Sequence, residues 1–212
     1  MTSLKGLLTL ALSLGLTTAG IAAPSFLGLT GLIFTPTADT LQKNAFNASI
    51  HAVEGDSPLY SFNVGFKPNL EGGFSQLPDS ETIINAKYTF LPESAKTIGV
   101  AAGVMDLTDQ KATTLYVVAS KKYSTKDLLY GVDYIQGSLG IAGGDSDEFV
   151  LDGVFGGVGI GIAKRATVML EYDGDNFNYG ARYDLGKGFD ARIGVAGEGH
   201  DLLAGISYTG KL

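Results

Sequence analysis

Few side chains in this sequence could do covalent or acid–base chemistry at neutral pH. There is no cysteine, and there are two histidines, His51 and His200. The lack of cysteine excludes a thiol nucleophile, a thiolate metal site and a disulfide framework. His51 with Ser49 or Ser207 would make a serine–histidine pair if the first and last strands of a barrel meet. No nucleophile-elbow pattern accompanies it, so the chain reads as non-catalytic. Gly156-Gly157-Val158-Gly159-Ile160-Gly161 is as glycine-dense as a dinucleotide loop but lacks the spacing and the helix that loop needs. It reads as a strand with small residues facing a crowded interior. Gly143-Gly144-Asp145-Ser146-Asp147-Glu148 carries carboxylates that suit Ca²⁺, and its ordinary reading is an exposed acidic loop. Asn47-Ala48-Ser49 matches a glycosylation acceptor but falls inside a strand. No cofactor and no metal site follows from these residues.

The remaining chemistry is that of charge held inside a fold. From Glu171 to Leu185, Tyr172, Phe177, Tyr179, Ala181, Tyr183 and Leu185 make one face. Asn178, Gly180, Arg182 and Asp184 make the other, the period of two expected of a strand between unlike surroundings. A tight turn at Gly174-Asp175 pairs Tyr172 with Phe177 and Glu171 with Asn178. The connection Gly186-Lys187-Gly188 then sets Asp184 opposite Asp190 and Arg182 opposite Arg192. Like charges face to face destabilise a sheet. The diagonals Arg182–Asp190 and Asp184–Arg192 relieve this, which predicts an ionic cluster of these four residues with Glu171 and Asp173 close by. Its simplest role is to satisfy buried charge.

The elements that would position such a cluster recur along the chain. Residues 1–22 read as a secretory signal, with Lys5, an apolar run from Leu7 to Leu16, and small residues before a cut after Ala22. Residues 23–43 form a leader or plug with glycine and proline punctuation and no clean period; Thr37 is placed to cap a short helical turn to Thr40. Residues 44–212 carry about twelve alternating segments joined by short connections. Tyr130, Val132 and Tyr134 form the apolar face of the seventh. The sixth, Thr113 to Tyr123, is apolar on both faces near its middle and its phase is open.

Strands that alternate in direction place alternate connections on one rim. One set holds Glu54, Asp56, Asp79, Glu81, Asp106, Asp109, Asp145, Asp147, Glu148, Asp173, Asp175, Glu198 and Asp201. The other holds Lys67, Lys96, Lys126, Lys164, Arg165 and Lys187. Lys111, Glu93 and Asp127 are exceptions. A missed strand would scramble this sorting.

The expected fold is all-β, an antiparallel up-and-down transmembrane barrel. Lipid admits only helices or closed barrels, because every backbone group must be paired internally. Tyr and Phe cluster near strand ends, where amphipathic rings suit membrane interfaces. The polar face is small and rich in Gly and Ser, as a narrow lumen needs. A net charge of −7 disfavours nucleic acid as a partner.

Two stretches carry a family resemblance. Gly28-Leu29-Thr30-Gly31-Leu32-Ile33 with Thr35-Pro36-Thr37-Ala38, and Glu171-Tyr172-Asp173-Gly174 with Phe177-Asn178-Tyr179-Gly180, resemble the YjbH family of outer-membrane barrels. That resemblance implies a diderm outer membrane and a link to export or assembly of surface exopolysaccharide. The partners it implies are outer-membrane lipid and polysaccharide or other envelope export components. Two other readings stay open, a small passive outer-membrane pore and a secreted soluble β-protein acting as adhesin or matrix component.

Overall fold

The computed structural model describes residues 23–125, 129–144, 151–197 and 201–212. The signal segment, Lys126, Asp127, Asp145, Asp147, Glu148, Glu198 and His200 lie outside the described residues.

Alternation is realised as twelve strands. They are β1 (Ala45–Val53), β2 (Leu59–Lys67), β3 (Leu70–Gln76), β4 (Thr82–Leu91), β5 (Gly99–Met105) and β6 (Thr114–Ser124), then β7 (Val132–Gly143), β8 (Gly153–Ile162), β9 (Ala166–Tyr172), β10 (Phe177–Gly186), β11 (Phe189–Ala196) and β12 (Asp201–Lys211). Each pairs antiparallel with its chain neighbours, and β1 pairs with β12 to close the barrel. No edge is left unpaired. No helix occurs among the described residues, and the segment after Thr37 is irregular rather than a helical turn.

The barrel is apolar outside and carries its polar and charged wall residues inside. Ile50, Tyr60, Phe66, Tyr88, Leu115, Leu139, Leu170, Phe177, Tyr179 and Ile206 are exposed on its exterior, while Asn47, Asn63, Glu71, Asn85, Lys87, Glu171 and Asn178 are buried within. This is the inversion expected of a barrel that crosses a membrane with strands. Alternate connections share a rim, so among the described residues Glu54, Asp79, Asp106 and Asp173 lie on one rim and Lys67, Lys96, Lys164 and Lys187 on the other.

One strand differs from the sequence expectation, and the structure fixes the phase of another that the sequence left open. β7 runs on to Gly143, and a bulge between Val132 and Tyr134 shifts its phase. Tyr134 therefore turns into the lumen and bonds Thr167 (2.8 Å), off the face of Val132. One extra residue in a strand does this. In β6, Tyr116 and Val118 face inward and Leu115 and Val117 outward.

The lumen is filled by the leader. Residues 23–43 fold into two tight loops, marked by the bridges Pro24–Thr30 and Gly31–Pro36. Leu27 and Leu29 pack against Ile83, Met105, Tyr116, Val118 and Phe155, forming an apolar layer. That layer is why β6 is apolar on both faces. Phe26, Leu32 and Ile33 pack on Met169, Ala196 and Leu203. Full burial of such side chains contributes about 1.5–3 kcal/mol each, so the leader is a docked plug.

Candidate functional site

The wall holds the plug through its main chain. Glu71 on β3 accepts from the Thr30 N–H (2.8 Å), the Thr30 hydroxyl (2.7 Å) and the Leu41 N–H (2.7 Å). Glu171 on β9 accepts from the N–H groups of Ile33 (2.9 Å), Phe34 (2.8 Å) and Thr35 (3.1 Å), and from the Thr35 hydroxyl (2.8 Å). In the closed order β3 and β9 stand six strands apart in either direction. Two carboxylates therefore hold the plug from opposite sides of the lumen.

A cation on the next strand completes each seat. Lys87 on β4 donates to the carbonyls of Thr30 (2.6 Å) and Thr37 (2.9 Å), and lies 3.0 Å from Glu71. Arg182 on β10 donates to Pro24 (3.2 Å), Gly31 (3.2 Å) and Leu32 (3.4 Å). Arg192 on β11 adds Pro24 (2.6 Å). Further wall groups read the same backbone, Ser75 at Leu27 O, Ser120 at Ala38 N and Thr89 at Ala38 O. Peptide groups thus find polar partners where water is excluded, and charged partners make the stronger bonds.

The two seats differ in charge balance. Glu71 and Lys87 form a fully buried ion pair, facing each other across β3 and β4. No salt bridge to Glu171 occurs among the described residues. Its charge is met by peptide N–H groups, the Thr35 hydroxyl and the Asn178 amide (3.2 Å).

The expected ionic cluster is divided by the plug. Register does set Arg182 against Arg192 and Asp184 against Asp190. Arg192 pairs with Asp190 on its own strand (2.5 Å), and Ser207 joins them. Neither expected diagonal forms. Arg182 turns to the leader carbonyls, and Asp184 accepts from the Gly186 N–H (2.6 Å) within its turn. Leader peptide groups supply the partners that the arginine repulsion calls for. Asp173 does not join the arginines; it organises the β9–β10 turn, accepting from Asp175, Asn176 and Asn178.

The two stretches that carry the family resemblance meet here, since Thr35 and its neighbours are bound by Glu171. Gly28 sits at φ 96° against Asn63, where a Cβ would lie 2.4 Å from the Asn63 amide nitrogen. Gly31 is as tight, a Cβ falling 2.4 Å from Thr35 O. Pro36 closes the second bridge, and Thr37 and Ala38 are buried with their carbonyls bound. Gly174, at φ 123°, makes the turn, Tyr172 and Phe177 pack outside, and Gly180 lies in the lumen wall.

Glu71 and Lys87 carry a signal that sequence reasoning passed over. Leu70-Glu71 followed by Ala86-Lys87-Tyr88 repeats as Leu170-Glu171 followed by Ala181-Arg182-Tyr183. His51 is buried against Phe26, with ring centroids 4.6 Å apart. It bonds neither serine, for Ser49 is taken by Ser61 and Ser207 by Arg192 and Asp190. β8 brings Gly157 and Gly159 against Leu32 and Gly161 against Tyr134, the crowded interior expected of that glycine run. Between plug and wall lies a polar cavity of about 40 Å³, lined by Asp39, Lys122, Tyr134, Gln136, Thr167 and Arg182. It has room for roughly one to a few waters.

No family model and no curated protein matches the chain. Among solved structures it is similar to a KdgM porin, with a TM-score of 0.53 at 9% identity, covering 77% of this chain and 98% of that one. A KdgM porin in complex with disordered oligogalacturonate aligns at a TM-score of 0.49 and 10% identity, again over 77% of this chain and 98% of that one. The likeness is one of fold.

Proposed function

We propose that this chain is an outer-membrane barrel that works as a narrow passive pore shut by its own leader. In this reading it is exported by its N-terminal signal, is non-catalytic and takes no cofactor. One observation carries the reading, the plug held across the lumen by Glu71 and Glu171. The polar part of the wall around Glu71, Lys87, Glu171 and Arg182 suits a water-filled path once the plug has left, whereas a permanently solid barrel would be better served by an apolar interior throughout. The fold shared with a porin supports the same reading.

The test is conductance in planar bilayers. The full chain with Glu71→Gln and Glu171→Gln should pass steady current where the wild type stays mostly closed. Its leader should also become open to chymotrypsin at Phe34. A variant whose leader is cleaved in the membrane, yet which passes no current, overturns the pore.

A second reading keeps the exopolysaccharide link that the YjbH resemblance implies. It is favoured by the contact between the two resembling stretches, Thr35 with Glu171. The same double variant in the native host would then lower surface polysaccharide. Unchanged polysaccharide in a strain whose variant barrel conducts would remove this reading and leave the pore.

A further inference from the structure

Seven cationic side chains of the basic rim have no carboxylate partner among the described residues. Lys43, Lys67, Lys96, Lys164, Arg165, Lys187 and Lys211 are all exposed. None forms a salt bridge among the described residues. They stand at the start of β1, at the β2–β3, β4–β5, β8–β9 and β10–β11 connections and at the end of β12, so they encircle the mouth. Among the described residues the carboxylates nearby are engaged. Glu93 pairs with Lys121, Asp190 with Arg192, Asp133 accepts from the Lys164 N–H and Asp184 from the Gly186 N–H. On the opposite rim the one lysine, Lys111, is tied to Asp79 and Glu81.

A belt of aromatic rings lies directly beside this ring of charge. Phe66 precedes Lys67, and Tyr88, Phe90, Tyr123, Tyr183 and Phe189 are exposed at the same ends of their strands. Phe46, Tyr208 and Phe189 are in ring contact, at 5.8 and 4.8 Å. Two cations sit over exterior rings, Lys121 at 5.6 Å from Tyr123 and Arg165 at 5.7 Å from Tyr183. Aromatic belts of this kind settle at headgroup depth, and positive charge at that depth meets lipid phosphate.

We propose that the basic rim is a binding ring for the headgroups of an anionic phospholipid leaflet. The inference rests on the membrane reading and not on conduction. Charges spread around the mouth beside an aromatic belt fit a sheet of headgroups better than a partner protein, which would need one patch. Each basic side chain near an anionic surface contributes about 1 kcal/mol, and added salt should weaken it.

The experiment follows folding of the full chain into vesicles, read by heat-modifiable migration. Vesicles of phosphatidylcholine are compared with vesicles containing phosphatidylglycerol. At low salt the wild type should fold at least about tenfold faster with phosphatidylglycerol, and the advantage should shrink as salt is raised. The variant K67Q/K164Q/R165Q/K187Q should fold at the wild-type rate in phosphatidylcholine and lose the advantage. The same preference in the variant, or none in the wild type, overturns the proposal. Should the variant not fold, native mass spectrometry of the wild type decides, since failure to retain phosphatidylglycerol over phosphatidylcholine also overturns it. Tight binding of soluble polyphosphate without lipid preference would assign the ring to a polymer instead. A barrel that conducts without lipid preference separates this failure from that of the pore.

Discussion

Glu71 and Glu171 do the same work under different conditions. Glu71 is balanced by Lys87 at 3.0 Å, while Glu171 depends on the plug for all its hydrogen-bond donors but the Asn178 amide. Glu171→Gln therefore removes the charge from several hydrogen bonds and turns an amide NH₂ toward leader N–H groups. Bonds to a charged group are worth about 1.5–3 kcal/mol and neutral ones about 0.5–1.5, so this change should loosen the plug by roughly 2–4 kcal/mol. The barrel wall should survive, because its ladder does not pass through the Glu171 side chain. Faster chymotryptic cleavage of the leader with unchanged heat-modifiable migration is the expected result; an equally protected leader would remove Glu171 from the seat. Alternation alone puts Glu171, Arg182 and Arg192 in the lumen, and that much was legible. Their partners were not, because peptide groups of an irregular segment leave no mark in sequence. Lys87, a lone lysine on a strand, looks solvated until a plug is packed against it, and only its repeat of the Glu171 and Arg182 pattern marks it in the sequence.

At the scale of elements, strands were legible wherever small and large residues alternated without interruption. β9 and β10 pair in the register expected from their turn. The full length of β7 is not legible, because the bulge before Tyr134 breaks its phase and Gly137, Ser138, Gly140 and Gly143 dilute its second half. The connections are held by their own carboxylates. Asp106 bends at φ 54° after β5 and accepts from Lys111 N–H (2.6 Å), Ala112 N–H (3.1 Å) and the Thr108 hydroxyl (2.7 Å). Burial pushes its carboxyl up, but these hydrogen bonds outweigh burial and hold it below the ordinary 3.8. A folded value below the unfolded one stabilises in full above 3.8 and is lost as pH falls through the folded value. The wild type should therefore lose thermal stability below about pH 3.8 through this loop. Asp106→Asn should cost about 1–3 kcal/mol at neutral pH and flatten that part of the acid dependence. Melting followed by circular dichroism in detergent at pH 6 and pH 3 checks it, and an acid loss as large in the variant would release Asp106 from this role.

For the whole molecule, the decisive asymmetry is between the rims. The leader enters and returns at the basic rim, because Ala23 lies beside Lys122, Tyr134 and Thr167 while Asn44 adjoins the first residue of β1. The plug can thus leave through that mouth as a loop, without threading the barrel. Its apolar tip, Leu27 and Leu29, seals the half of the lumen toward the acidic rim. On the proposed outer-membrane reading, short turns face the periplasm and longer loops the outside, which would put the basic rim and the exit of the plug inside and the acidic connections outside. Those include the longer ones, between β5 and β6 and between β7 and β8. Since the chain has no cysteine, single substitutions report sidedness without background. Ser57→Cys, exposed between β1 and β2 on the acidic rim, should react with an impermeant maleimide on intact cells. Lys96→Cys, exposed on the basic rim, should react only after the outer membrane is opened. Reaction in the reverse order would turn the barrel over, place the mouth through which the plug leaves at the cell surface, and make release a response to the outside.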